Sequence, residues 1–156
     1  MKHSRRSTLQ VAGGAGLYAV LVAAGLLGPD AAAAQALDPG VFKVAGVPAT
    51  LKAMGAAGAA ESKDVVIVAP DIAENGAVVP VGIKSNLPKT EMMALLVAKN
   101  PNALAGAYEI LQGADAEVSM RIKMGETSEV VALVKADGKF YLARKEVKVT
   151  AGGCGG

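Results

Sequence analysis

The sequence predicts an all-β domain in which two antiparallel sheets pack face to face. Three observations point there. From Asp64 to Val149 the apolar residues come in short runs, several of them with period two. Turn dipeptides, Asn75-Gly76 and Asp137-Gly138 among them, stand between the runs. The 156 residues make about one domain, and the 120 that follow a leader can bury a self-supporting core.

Residues 1–36 have the form of an export signal. A short basic region precedes an uncharged stretch from Val11 to Gly28, and the alanines from Ala31 to Ala36 offer A-x-A cleavage sites, with cleavage expected after Ala34 or Ala36. The 18 uncharged residues are barely long enough for a membrane anchor, and five of them are glycine. Ser4-Arg5-Arg6-Ser7-Thr8-Leu9-Gln10 resembles a twin-arginine signal, which implies transfer to the periplasm of an already folded chain.

Residues 37–63 are expected to be a helical or extended segment, with a short helix at Thr50–Met54 after Pro48. This segment is expected to lie across the domain rather than form its core. Residues 64–149 carry the sheets. Val65–Ala69 is a β-branched run, and Val79, Val81 and Ile83 alternate in Ala77–Lys84, where Pro80 predicts an edge or an irregularity. Glu91–Ala98 and Ala107–Leu111 follow. In Glu117–Met124, Val118, Met120, Ile122 and Met124 alternate with polar residues. Glu129–Ala136 and Lys139–Val149 flank a hairpin at Asp137-Gly138, and the apolar phase slips between Leu142 and Val147, which predicts a bulge near Arg144–Glu146. Seven such strands argue for an immunoglobulin-like antiparallel β-sandwich, without the tryptophan and cysteine pair of antibody domains.

Composition then removes function classes. The only histidine is His3, in the leader, so the exported chain has no histidine base for a catalytic triad. The only cysteine is Cys154, which excludes an intrachain disulfide and a thiolate-rich metal centre. Without the leader the chain has 13 basic and 13 acidic residues, and no nucleic-acid partner is implied. Asp71 and Glu74, and Glu126 and Glu129, read as solvated loop positions, and no residue is assigned a catalytic role. After signal cleavage no membrane attachment is expected.

The tail at 150–156 is the informative part. Gly152, Gly153, Gly155 and Gly156 surround Cys154 symmetrically, and glycine loses the most entropy on ordering. No His, Lys or Arg in the last seven residues activates the thiol. Four residue steps from Thr150 let the sulfur reach roughly 13–14 Å. Such an arm suits a covalently carried group better than an intrinsic catalyst, because catalysis needs fixed geometry.

The Gly-Gly-Cys-Gly-Gly tail, the segment from Ala73 to Val81 (Ala-Glu-Asn-Gly-Ala-Val-Val-Pro-Val) and the twin-arginine leader resemble the SoxY family of thiosulfate-oxidation carriers. The resemblance implies a non-enzymatic sulfur carrier with Cys154 as the covalent attachment site and the four glycines as its arm. It implies a heterodimer with a SoxZ-type subunit. It further implies conjugation to thiosulfate by a SoxAX-type haem protein, hydrolysis by a SoxB-type hydrolase, and oxidation by a sulfur dehydrogenase where one is present. No cofactor is implied beyond sulfur or thiosulfonate adducts on Cys154, and an inter-chain disulfide through that residue is open.

Two other readings compete. A ubiquitin-like carrier ends in Gly-Gly, as here, but needs cytoplasmic adenylation, which the leader opposes. A periplasmic copper-handling or other immunoglobulin-like binding module would use thioethers, and Met54, Met92, Met93, Met120 and Met124 are available; methionines alternating with Val and Ile are also ordinary core filler. No metal site is assigned. The two-sided apolar strand Glu91–Ala98 is expected to need a partner subunit to cover one of its faces.

Overall fold

A computed structural model describes residues 37–150; the leader and the Gly-Cys tail lie outside the described residues. A 3-10 helix at Pro39–Lys43 and helix α1 at Val47–Ala53 precede nine strands. These are β1 (Ala60–Glu61), β2 (Val65–Val68), β3 (Ile72–Ala73), β4 (Val79–Ser85), β5 (Thr90–Val97), β6 (Leu104–Glu109), β7 (Glu117–Ile122), β8 (Ser128–Ala136) and β9 (Lys139–Val149).

The larger sheet runs β1-β9-β8-β5-β6, with β3 also on β9, and the smaller runs β2-β4-β7. Together they make the predicted immunoglobulin-like sandwich. The seven anticipated strands are present, and two two-residue strands join them. Both of these, β1 and β3, run parallel to β9, so the pairing is not wholly antiparallel. Val79, Val81 and Ile83 of the small sheet meet Met93, Leu95, Val97, Val130, Ala132, Val134 and Val147 of the large one in the inner core.

The two-residue turn at Asp137-Gly138 forms as expected, with Ala136 opposite Lys139 and both turn residues at positive φ. Pro80 lies past the last β2 pairing, Val68 with Gly82, where β4 has a neighbour on one side only. Its missing N–H therefore removes no bond to β2.

Three expectations fail for one reason. No bulge interrupts β9: the β8–β9 register is unbroken from Ala136–Lys139 to Ser128–Val147. The apolar phase changes because the large sheet is buried on both faces near its centre. Tyr141, Ala143, Val147 and Val149 face the inner core, while Phe140 and Leu142 face a second core on the opposite side. That second core joins Val41, Val47, Leu51 and Ala56 of the N-terminal segment to Ala94, Leu96, Val131, Leu133 and Leu142. The segment at 37–63 thus lies across the domain and also builds a core. Its helix begins at Val47, earlier than expected, with Pro48 in the first turn where no N–H is needed. The same layer supplies the missing cover for β5: Met93, Leu95 and Val97 point inward and Ala94 and Leu96 outward, all buried by this chain's own residues.

The irregularities of the large sheet are in β5 instead, where its register shifts against β6 between Leu95 and Leu96 and against β8 between Thr90 and Met92.

Candidate functional site: the root of the C-terminal tail

Strand β9 is the longest in the fold, and its end is where the chain passes from sheet to tail. That end is held from three directions. On its outer edge, β3 pairs in parallel: the Lys148 N–H donates to the Asp71 carbonyl at 3.0 Å and the Thr150 N–H to the Ala73 carbonyl at 3.1 Å. From the loop after β7, the Thr127 hydroxyl accepts the Val149 N–H at 3.0 Å. From the turn after β3, Gly76 presses against both. Its carbonyl accepts the Met124 N–H at 2.7 Å. A Cβ on Gly76 would fall onto the Met124 carbonyl oxygen and stand 2.8 Å from Val149 Cγ1.

The Asn75-Gly76 turn is built by its own side chain. Asn75 Oδ1 accepts the Ala77 N–H at 2.9 Å, a local hydrogen bond that asparagine makes readily. Gly76 has no positive φ, so it is there for close approach of two backbones and not for its conformational range. Lys145 ties the preceding loop down: its Nζ donates to the Ala69 carbonyl at 2.6 Å and pairs with Asp71 at 2.9 Å. On the far side, Asn100 Nδ2 donates to the Lys123 carbonyl at 2.8 Å, bracing the loop that carries Met124 and Thr127.

The remaining sequence candidates sort as follows. Cys154, Gly152, Gly153, Gly155 and Gly156 lie outside the described residues, and the structure describes the root from which they extend. Asp71 pairs with Lys145, Glu126 with Lys99 at 3.2 Å, and Glu129 with Arg144 at 2.6 Å, which are surface ion pairs. Met93, Met120 and Met124 belong to the inner core, whereas Met54 and Met92 pack on the second. The thioethers are thus divided between two sides of a sheet. Among the described residues no group of three or more His, Cys, Asp or Glu stands close enough to hold a metal ion. Sequence reasoning took Thr150 only as the start of the arm and missed Thr127 and the strand β3. The signal available was Asn75-Gly76, read as a separator between strands and as part of the segment that carries the resemblance.

Comparisons with known proteins give the family. Residues 51–154 match the family model described as sulfur oxidation protein SoxY. The chain belongs to the SoxY family. The solved structure of the sulfur carrier protein SoxY from Chlorobium limicola f thiosulfatophilum is 35% identical, with a TM-score of 0.59, covering 64% of this chain and 87% of that one. A superoxide reductase (neelaredoxin) from Ignicoccus hospitalis is 17% identical with a TM-score of 0.50, covering 55% of this chain and 80% of that one, and shares the fold alone. A search of the curated proteins returned no match. The SoxY match begins inside α1 and runs to Cys154, so it spans both sheets, the pinned root and the second core from Leu51 onward.

Proposed function

We propose that this chain is a periplasmic sulfur carrier of a thiosulfate-oxidising Sox system, exported through its twin-arginine leader and acted on by partner enzymes. Cys154 holds the cargo, and Gly152, Gly153, Gly155 and Gly156 make the arm that swings it. The observation that carries this reading is the position of the single thiol: four residue steps past a backbone pinned at Thr150, at the end of the segment matched to SoxY.

The chemistry asks little of this chain's own groups. In the first step the Cys154 thiol and thiosulfate join through a new S–S bond, giving Cys154–S–S–SO₃⁻ and releasing one proton and two electrons. A SoxAX-type haem protein accepts those electrons. In the second, water attacks the terminal sulfone under a SoxB-type hydrolase, sulfate leaves with two protons released, and a persulfide remains. A sulfur dehydrogenase, where present, oxidises that sulfane sulfur. A SoxZ-type subunit is the proposed heterodimeric partner.

The test is intact-mass spectrometry of the protein purified from periplasm, before and after reductant, with the adduct located by fragmenting the C-terminal peptide. Reductant-labile additions on Cys154 of about 32 Da per sulfur atom, or about 112 Da for thiosulfate, are expected. A thiol that stays unmodified after incubation with thiosulfate and the conjugating proteins would overturn the reading.

A further inference from the structure

We propose that the Asn75-Gly76 turn is a site of spontaneous backbone modification, in which the Gly76 nitrogen closes onto the Asn75 side chain and the isoaspartyl product releases the root of the tail. The proposal stands on the geometry of the root and is independent of what Cys154 carries.

The chemistry needs no enzyme, and water is its co-reactant. The Gly76 nitrogen attacks Asn75 Cγ. A C–N bond forms, the Cγ–Nδ2 bond breaks, and the side-chain nitrogen leaves as ammonia with the proton from Gly76. Water then opens the resulting succinimide. Hydrolysis at Cγ gives aspartate. Hydrolysis at the α-carbonyl gives isoaspartate, whose backbone runs through Cβ and Cγ and is one methylene longer. No electrons are exchanged, and either product is an ionised carboxylate at neutral pH.

Of the asparagines at 75, 86, 100 and 102, Asn75 is the one followed by glycine, which has no Cβ to hinder the approach of its nitrogen. Asn100 precedes a proline, whose nitrogen has no proton to give up. The fold adds to this. The Asn75 side chain is exposed yet folded back: Oδ1 accepts the Ala77 N–H at 2.9 Å, closing a ring over the Asn75–Gly76 peptide. That N–H is aimed at the oxygen on which charge develops when Cγ is attacked, the place where a donor assists acyl transfer. Among the described residues the Gly76 N–H meets no acceptor, so no hydrogen bond has to break before it reacts.

Asp137-Gly138 is the contrast within the same chain, since it could form the same ring with loss of water. There the Gly138 N–H donates to Glu91 Oε1 at 2.9 Å, and the Asp137 carboxylate pairs with Lys89 at 2.9 Å. Both reacting groups are already engaged.

The consequence follows from the wedge. Gly76 is buried, its carbonyl accepts the Met124 N–H at 2.7 Å, and even a Cβ on it would stand 2.8 Å from Val149 Cγ1. A methylene inserted into the chain just before Gly76 has to move it off both neighbours. Ala73, whose carbonyl holds the Thr150 N–H, lies two residues before Asn75 and is drawn into that shift. Aspartate, by contrast, keeps the backbone and an oxygen for the Ala77 N–H.

The experiment incubates the folded, reduced chain without its leader at mildly alkaline pH. Peptides are mapped by mass against time, with isoaspartate distinguished from aspartate by fragmentation. A gain of about 1 Da is expected at Asn75, roughly tenfold or more faster than at Asn86, Asn100 or Asn102, with isoaspartate among the products. None is expected at Asp137-Gly138. The isoaspartyl chain, separated by anion exchange, should exchange its Val149 and Thr150 amides about tenfold faster than the unmodified chain, with the middle of β8 unchanged. Asn75→Asp should exchange like wild type. Modification of Asn75 no faster than of the other three asparagines, or isoaspartate forming as fast at Asp137-Gly138, would overturn the site. Unchanged exchange in the isoaspartyl chain would overturn the release of the root. Equal acceleration in Asn75→Asp would assign the effect to charge and overturn it as well.

Discussion

The carbonyl of Ala73 accepts the N–H of Thr150 at 3.1 Å, so a strand of two residues holds the point where the sheet becomes the tail. A two-residue strand contributes little on its own, and it persists because its neighbours fix it. Ala73 is buried in the inner core, Lys145 spans Ala69 and Asp71, and Gly76 is wedged between Met124 and Val149. The root is a set of mutually supporting contacts around the last residues of β9.

Gly76→Ala tests the wedge. The new methyl group would meet the Met124 carbonyl and Val149, and neither is the far end of a flexible side chain. Overpacking of this kind costs about 1–3 kcal/mol, which lowers Tm by several degrees in a chain of this size. Thermal unfolding followed by circular dichroism is the check, and a Tm equal to wild type would mean that the turn and the strand end separate freely.

Thr127→Val removes the hydroxyl that accepts the Val149 N–H while keeping the shape of the side chain. Leaving a partly buried donor without an acceptor costs about 1–3 kcal/mol. Amide hydrogen exchange at Val149 should quicken, with exchange in the middle of β8 unchanged. Uniform acceleration along the chain would show global destabilisation in place of local release of the root.

The strands were legible because their signal is local. In Glu117–Met124 the alternation alone separates core from solvent, and Asp137-Gly138 announces its turn in two residues. What escaped was information carried between distant segments. The phase change at Leu142 and Val147 looks like a bulge when only one buried face is imagined; with the N-terminal layer on the other face, both residues are inside and the register is regular. Gly76 was visible as a turn residue, but the Met124 carbonyl that requires a glycine there is 48 positions away. The site divided in the same manner. Cys154 and its glycines stand out in the sequence, whereas Thr127, Ala73 and Thr150 are ordinary residues until the fold brings them together.

Acid should loosen the hairpin end of the sandwich. The Gly138 N–H, and then Lys135, hold the Glu91 carboxyl below its ordinary value, and the Lys89 ammonium does the same for Asp137. Groups with a lowered folded-state pKa stabilise the fold above their unfolded value and lose that contribution as pH falls through the folded one. Lys89 is raised by Asp137, so its share is lost only as pH rises through the alkaline range. Glu91→Gln should therefore be less stable than wild type at neutral pH, with the difference closing toward acid. Urea midpoints measured across that range are the check, and a difference independent of pH would assign the effect to packing.

The second core gives the sharpest stability forecast, because the sequence placed the N-terminal segment outside any core. Leu51 is 7% exposed and packs with Ala94, Leu96, Val131, Leu133 and Leu142, which line the outer face of the central strands. If the segment merely lay on the surface, Leu51→Ala would cost a few tenths of a kcal/mol. As part of a closed core it removes buried methyl groups and leaves a cavity, at a cost of about 2–4 kcal/mol. Chemical denaturation distinguishes the two, provided the m-value is unchanged. Removing residues up to Ser62 would go further. It would uncover an apolar face in the middle of the large sheet, and the shortened chain should aggregate or bind a hydrophobic dye where the full one does not. A shortened chain that stays monomeric and keeps the full-length midpoint would show that the layer contributes nothing to holding the sheet, and with it the explanation offered for the phase change in β9 would fall.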